Sequence, residues 1–111
     1  MEAASRGVKE KGGTVIGILP GFSRQDANPY VDIPIVTGLG DGRNILIVQT
    51  AQAIIALPGE YGTLSEIALA LKIGRPVVSL GSWEISPHII RVKTAKAAVE
   101  KALKAIDSLK H

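Results

Sequence analysis

The sequence predicts a three-layer α/β fold, a parallel sheet flanked by helices, and three observations carry that expectation. Short β-branched runs alternate with amphipathic segments along the 111 residues, the pattern of βαβ units. Apolar residues make up 46% of the chain and aromatics only 4%, a mix rich in Ile, Val, Leu and Ala that suits strands covered on both faces. Glycine and proline close segment after segment: Gly12 and Gly13, Pro20 and Gly21, Gly74 and Pro76.

Taken in order, Glu2 to Lys11 reads as a helix ending at Gly12 and Gly13. Thr14 to Leu19 reads as a strand, Phe22 to Asp32 as a polar loop, and Ile33 to Thr37 as a second strand ended by TGLGDG. Asp41 is placed to cap a helix reaching about Ala51, and Ala53 to Leu57 is the third strand. Thr63 to Ile73 is expected as a helix opened by a T-x-x-E capping box, Thr63 with Glu66, and stopped by Gly74 and Pro76. Val77 to Leu80 is the fourth strand, and His88 to Val92 a short fifth candidate after a loop. Thr94 caps the last helix, whose positions Ala95, Val99, Ala102, Leu103 and Ile106 follow helical spacing. No repeat or linker interrupts the chain, so residues 1–111 are expected to form a single domain.

Composition excludes several functions. The chain has no cysteine, so disulfide and thiol chemistry are out and an intracellular, cytoplasmic protein is expected. No run approaches the roughly 18 apolar residues of a membrane span. Net charge is +3, but the lysines toward the C-terminus are interspersed with Glu100 and Asp107, which predicts a solvated helix face rather than a nucleic-acid patch. His88 and His111 have no metal-ligand spacing, so no metal site is expected.

The most informative stretch is PGEYGTLSE, Pro58 to Glu66. It runs from a strand through a glycine turn into a helix N-terminus, where first-turn amides lack intrahelical partners and the helix dipole is positive. Such a turn suits a phosphate or carboxylate. Gly59 and Gly62 would permit close approach and positive φ, and Thr63 offers a hydroxyl and an amide. The same residues also read as a plain structural turn. Glu66 reads either as the reciprocal half of the cap or as a carboxylate for ribose hydroxyls or developing positive charge. Arg43 lies in the first turn of its helix, where a cation is disfavoured unless an anion is bound beside it. Ser23, Arg24, Asp26 and Asn28 in the Phe22 to Tyr30 loop are ligand candidates but fit a solvated loop better. Tyr61 could stack on a base or pack over the loop, Trp83 reads as a packing or oligomer residue, and His88 as structural or surface.

PGEYGTLSE resembles the PGGxGTxxE signature of the LONELY GUY and molybdenum-cofactor carrier protein superfamily, whose members are often labelled lysine decarboxylase-like. MEAASRGVKEKGGTVIGILPG, ANPYVDIPIVTGLGDGRN and AIIALPGEYGTLSEIALALKIGRPVV extend that resemblance over nearly the whole chain, specifically toward the carrier-like branch. The resemblance implies a Rossmann-like fold binding a nucleoside monophosphate or molybdenum cofactor, with Gly59, Glu60, Tyr61, Gly62 and Thr63 around the phosphate. It implies a phosphoribohydrolase pair, Arg43 and Glu66, cleaving an N-glycosidic bond with no cofactor or metal required, or a non-catalytic carrier of the phosphorylated ligand. It also implies a homodimer or homotetramer. Glu60 replaces the second glycine of the signature, and Gln52 stands where many relatives have aspartate. The family's first βαβ portion, with its GGxxG loop, aligns ahead of Met1, so the domain is expected to be N-terminally incomplete. Its absent strands are expected between the Thr14 to Leu19 and Ile33 to Thr37 strands.

Overall fold

The computed structural model describes residues 1–109. They form two compact units, Met1–Arg43 and a second from Asn44 onward. Both are α/β with parallel strands, as the alternation predicts.

In the first unit, α1 (Glu2–Glu10) ends where Gly12 turns to φ 76° and the amides of Gly13 and Gly12 reach the carbonyls of Val8 and Lys9 at 2.9 and 3.0 Å. This double closure satisfies carbonyls that the last helical turn leaves open, and its left-handed residue favours glycine. Strand β1 (Ile16–Leu19) then pairs in parallel with β2 (Ile33–Val36), Ile16 opposite Ile33 and Leu19 opposite Val36. That direct ladder overturns the expectation of further strands between these two, because β1 and β2 bond to each other with nothing between them. Asp32 secures the entry to both strands. Its carboxylate accepts the Val15 amide at 2.7 Å and the Lys9 ammonium at 2.8 Å. The Lys9 hydrogen bond, then the Val15 amide, hold the Asp32 carboxyl below its ordinary value.

The second unit carries the buried core. Its three strands, β3 (Ile54–Ala56), β4 (Val77–Leu80) and β5 (Ile90–Val92), lie side by side in that order, all parallel. Alternation along β3 and β4 sends side chains to opposite faces. On one face Ile54, Ala56 and Val77 pack with Val48 of α2 (Arg43–Thr50) and with Ile67 and Ala70 of α3 (Tyr61–Lys72). On the other, Val78, Ile90 and Val92 meet Ala98 and Ala102 of α4 (Ala95–Leu109). This unit is therefore helix, sheet, helix in three layers. Within α4 the buried stripe is Ala98 and Ala102, whereas Val99 and Leu103 are 51% and 58% exposed. Small side chains let the helix lie close on the sheet, and of the positions the spacing marked, Ala102 is buried while Val99 and Leu103 are exposed.

Helix ends are fixed by named groups. Thr94 Oγ1 accepts the Ala97 amide at 3.1 Å, the N-cap expected for α4. Gly74 takes φ 81°, and the Arg75 amide reaches Ala70 at 2.9 Å to close α3. The Arg75 guanidinium also donates to the Val48 and Gln49 carbonyls at 3.2 and 3.0 Å, placing a cation on the negative end of α2. Asp41 is not the N-cap of α2. It sits inside a 3₁₀ turn, Gly40–Gly42, that precedes the helix. Among the described residues no helix is long and apolar enough to cross a membrane, and no group of His, Asp or Glu could hold a metal.

Candidate functional site

The loops that follow β3 and β4 lie at the carboxyl ends of adjacent parallel strands, where open α/β sheets receive ligands. In the first, Pro58–Glu60 leads directly into α3. That helix begins at Tyr61, with Glu60 as N-cap, two residues ahead of the Thr63 start. Thr63 is thus not the N-cap: it is the third helical residue, and Glu66 lies half-buried in the second turn. Leu64 makes the first intrahelical bond, its amide reaching the Glu60 carbonyl at 3.1 Å. The amides of Tyr61, Gly62 and Thr63 precede it and have no carbonyl of their own helix to meet.

Neither Gly59 nor Gly62 adopts positive φ. Gly59 is required by crowding instead: a Cβ there would collide with the Thr63 hydroxyl and stand 2.9 Å from Thr63 Cβ. Gly62 gives its carbonyl to Asn44 Nδ2 at 3.2 Å, and Asn44 itself is 2% exposed. A buried amide of this kind is worth keeping only when hydrogen-bonded, and here the bond ties the start of α3 to α2. Glu60 is exposed and makes no side-chain cap bond, so its carboxylate stands in solvent at the positive end of the helix.

The loop after β4 supplies Trp83. Its indole N–H is shared between the Gly59 and Glu60 carbonyls, 3.1 Å from each, and its ring packs against the core cluster beneath α3. Tyr61 stacks over Trp83 with ring centroids 6.1 Å apart and planes 23° from parallel, yet remains 79% exposed. Ser79, 1% exposed, accepts the Ser82 amide at 3.0 Å and shapes the same loop. Ser82 Oγ is buried and has no hydrogen-bond partner among the described residues.

Arg43 is the last residue of the first unit and is half-buried. Its guanidinium donates to the Ile18 carbonyl at 2.6 Å, near the carboxyl end of β1. One of its five N–H donors is thereby engaged, and the side chain is anchored within its unit. Of the Phe22 to Tyr30 loop, Ser23 accepts the Gln25 amide at 3.1 Å and Asn28 the Tyr30 amide at 3.0 Å. Those bonds shape local turns. Sequence reasoning missed Asn44, whose helical position carries no signal of burial, and underrated Trp83, whose partners lie 23 and 24 residues away.

Residues 1–108 match the model of the SLOG cluster4 family. An uncharacterized protein of Archaeoglobus fulgidus is 49% identical over 80 residues, covering 72% of this chain and 52% of its own length. The chain thus spans about half the length of that curated relative. Among solved structures, the molybdenum cofactor binding protein of Rippkaea orientalis superposes with TM-score 0.84 at 35% identity, covering 96% of this chain and 71% of its own. The Moco carrier protein of Chlamydomonas reinhardtii gives 0.82 at 33% identity, covering 97% and 71%. With nearly its full length inside the family model and its fold shared with these Rossmann-like proteins, the chain belongs to the SLOG cluster4 family.

Proposed function

We propose that the chain is a nucleotide-binding-type domain that holds a small phosphorylated ligand, molybdenum cofactor or a nucleoside monophosphate, at the N-terminus of α3. The observation that carries this reading is the Gly59–Thr63 loop. It presents three first-turn amides at the end of a 12-residue helix and is held in shape by the Trp83 bonds. Likeness to two proteins named for binding or carrying molybdenum cofactor supports the carrier role. Native mass spectrometry against a pterin phosphate, AMP and GMP tests it, since retention of none of them would remove the reading.

A second reading, hydrolysis of a nucleoside monophosphate to free base and ribose 5-phosphate, is favoured by one observation. Glu66 lies half-buried in the second turn of the helix whose first turn is proposed to hold the phosphate. In this reading Glu66 steadies positive charge on the sugar, Arg43 meets the anion, and no cofactor or metal takes part. Release of free base from AMP, lost in Glu66→Ala and Arg43→Ala, is the expected result. No release from wild-type protein would end the hydrolase reading and leave binding intact. A homodimer or homotetramer is proposed as well, supported by the exposed Val99 and Leu103 on α4, and sedimentation velocity decides it.

A further inference from the structure

We infer that Tyr61 and Trp83 form an aromatic platform for the planar heterocycle of the ligand, so that the site selects phosphate monoesters carrying a fused ring. This rests on the reading that the phosphate is held at the start of α3.

Three features argue for a platform rather than a packing contact. First, Tyr61 is stacked on one face only. Trp83 lies 6.1 Å away at 23°, while 79% of the tyrosine remains exposed. An aromatic ring held flat by a partner beneath it and open above is the arrangement on which a base stacks. Second, the lower ring is fixed. The Trp83 indole donates to both Gly59 and Glu60 carbonyls at 3.1 Å and packs on the core, so the stack cannot drift relative to the loop. Third, Tyr61 is the first residue of α3. It therefore offers an amide at the positive end of the helix and a ring from the same residue, so one ligand can place its phosphate and its heterocycle on a single short segment. The shared chemistry is a flat fused ring joined to a phosphate monoester, which a purine nucleotide and a phosphorylated pterin both supply.

Trp83 is the only tryptophan in the chain, so intrinsic fluorescence reports on the platform itself. Wild-type protein, Tyr61→Ala and Tyr61→Phe are titrated with AMP, a pterin phosphate and ribose 5-phosphate, with affinity read by calorimetry and folding by circular dichroism. The expected result has several parts. Wild type binds at least one ring-bearing ligand more tightly than ribose 5-phosphate, and that ligand alone perturbs Trp83 emission. Tyr61→Ala then weakens it about 5- to 150-fold, the range of one lost base–aromatic stack, and leaves ribose 5-phosphate within about twofold. Tyr61→Phe retains the ring and the affinity. Preference for AMP or for the pterin phosphate identifies the source of the heterocycle. Equal binding of all three ligands to wild type, or an unchanged ring-bearing affinity in Tyr61→Ala, overturns the platform while the phosphate reading stands. Binding of none overturns both.

Discussion

Replacing Gly59 with alanine separates crowding at this loop from ordinary glycine flexibility, because the two predict opposite signs. Gly59 does not have positive φ, so alanine meets no left-handed strain there. On backbone entropy alone, the substitution would stabilise the fold by about 0.4–1 kcal/mol. The structure adds a collision. The new methyl would run into the Thr63 hydroxyl, which can rotate away, and would stand 2.9 Å from Thr63 Cβ, which cannot because α3 fixes it. Ordinary contact begins near 3.4 Å, so the loop must give by about half an ångström. Overpacking of that kind costs about 1–3 kcal/mol, and at the midpoints of the two ranges the net loss is about 1.3 kcal/mol. At roughly 4 °C per kcal/mol for a chain of this size, Tm falls by about 5 °C. Gly7→Ala is the control: nothing lies within 4 Å of its added Cβ in α1, and alanine in a helix interior gains about 0.5–1 kcal/mol. Thermal unfolding followed by circular dichroism gives both values. Gly59→Ala melting at or above wild type would refute the claim that Thr63 closes over this glycine.

Three other outcomes follow from the same structure. Glu60→Gln removes an exposed anion beside the proposed phosphate position, and should tighten phosphate-monoester binding about two- to fivefold at low salt, with the gain shrinking as ionic strength rises; calorimetry at two salt concentrations reads it. Asp32 has its carboxyl held low in the folded state, so its contribution is present above the ordinary carboxylate pKa and is lost as pH falls through the lowered folded value. Wild-type stability should therefore drop more than that of Asp32→Asn as urea midpoints are taken below about pH 4. Among the described residues every buried one lies in the second unit, so amides of β1 and β2 should exchange with deuterium well before those of β4, where Val77 and Val78 are 1% and 0% exposed.

Much of the fold was legible because its signals are local. Strand runs at Ile16–Leu19, Ile33–Val36 and Val77–Leu80, the glycine stops after α1 and α3, and the Thr94 cap all depend on residues within a few positions of one another. What failed depended on tertiary context. T-x-x-E suits a helix starting at Thr63, but α3 starts at Tyr61 above the Trp83 indole, which bonds the carbonyls just ahead of it. Helical spacing in α4 did not separate the buried Ala102 from the exposed Val99 and Leu103, because the sheet accepts alanines where hydropathy favours larger side chains. Direct pairing of β1 with β2 could not be read from either strand alone, since parallel neighbours leave no turn between them to set the order. In the PGEYGTLSE loop, Gly59 answers to the close approach of Thr63 and not to positive φ. Asn44 and Trp83, which hold that loop, are visible only once residues 18 to 24 positions apart are brought together.

The central claim is that the first turn of α3 binds the ligand's phosphate. The most direct measurement is the change in backbone ¹H–¹⁵N resonances of the wild-type protein on titration with AMP or a pterin phosphate. The account predicts saturable shifts that are largest at the amides of Tyr61, Gly62 and Thr63, with the Trp83 indole N–H moving alongside them. Saturable shifts centred elsewhere, with those three amides unmoved, would contradict it.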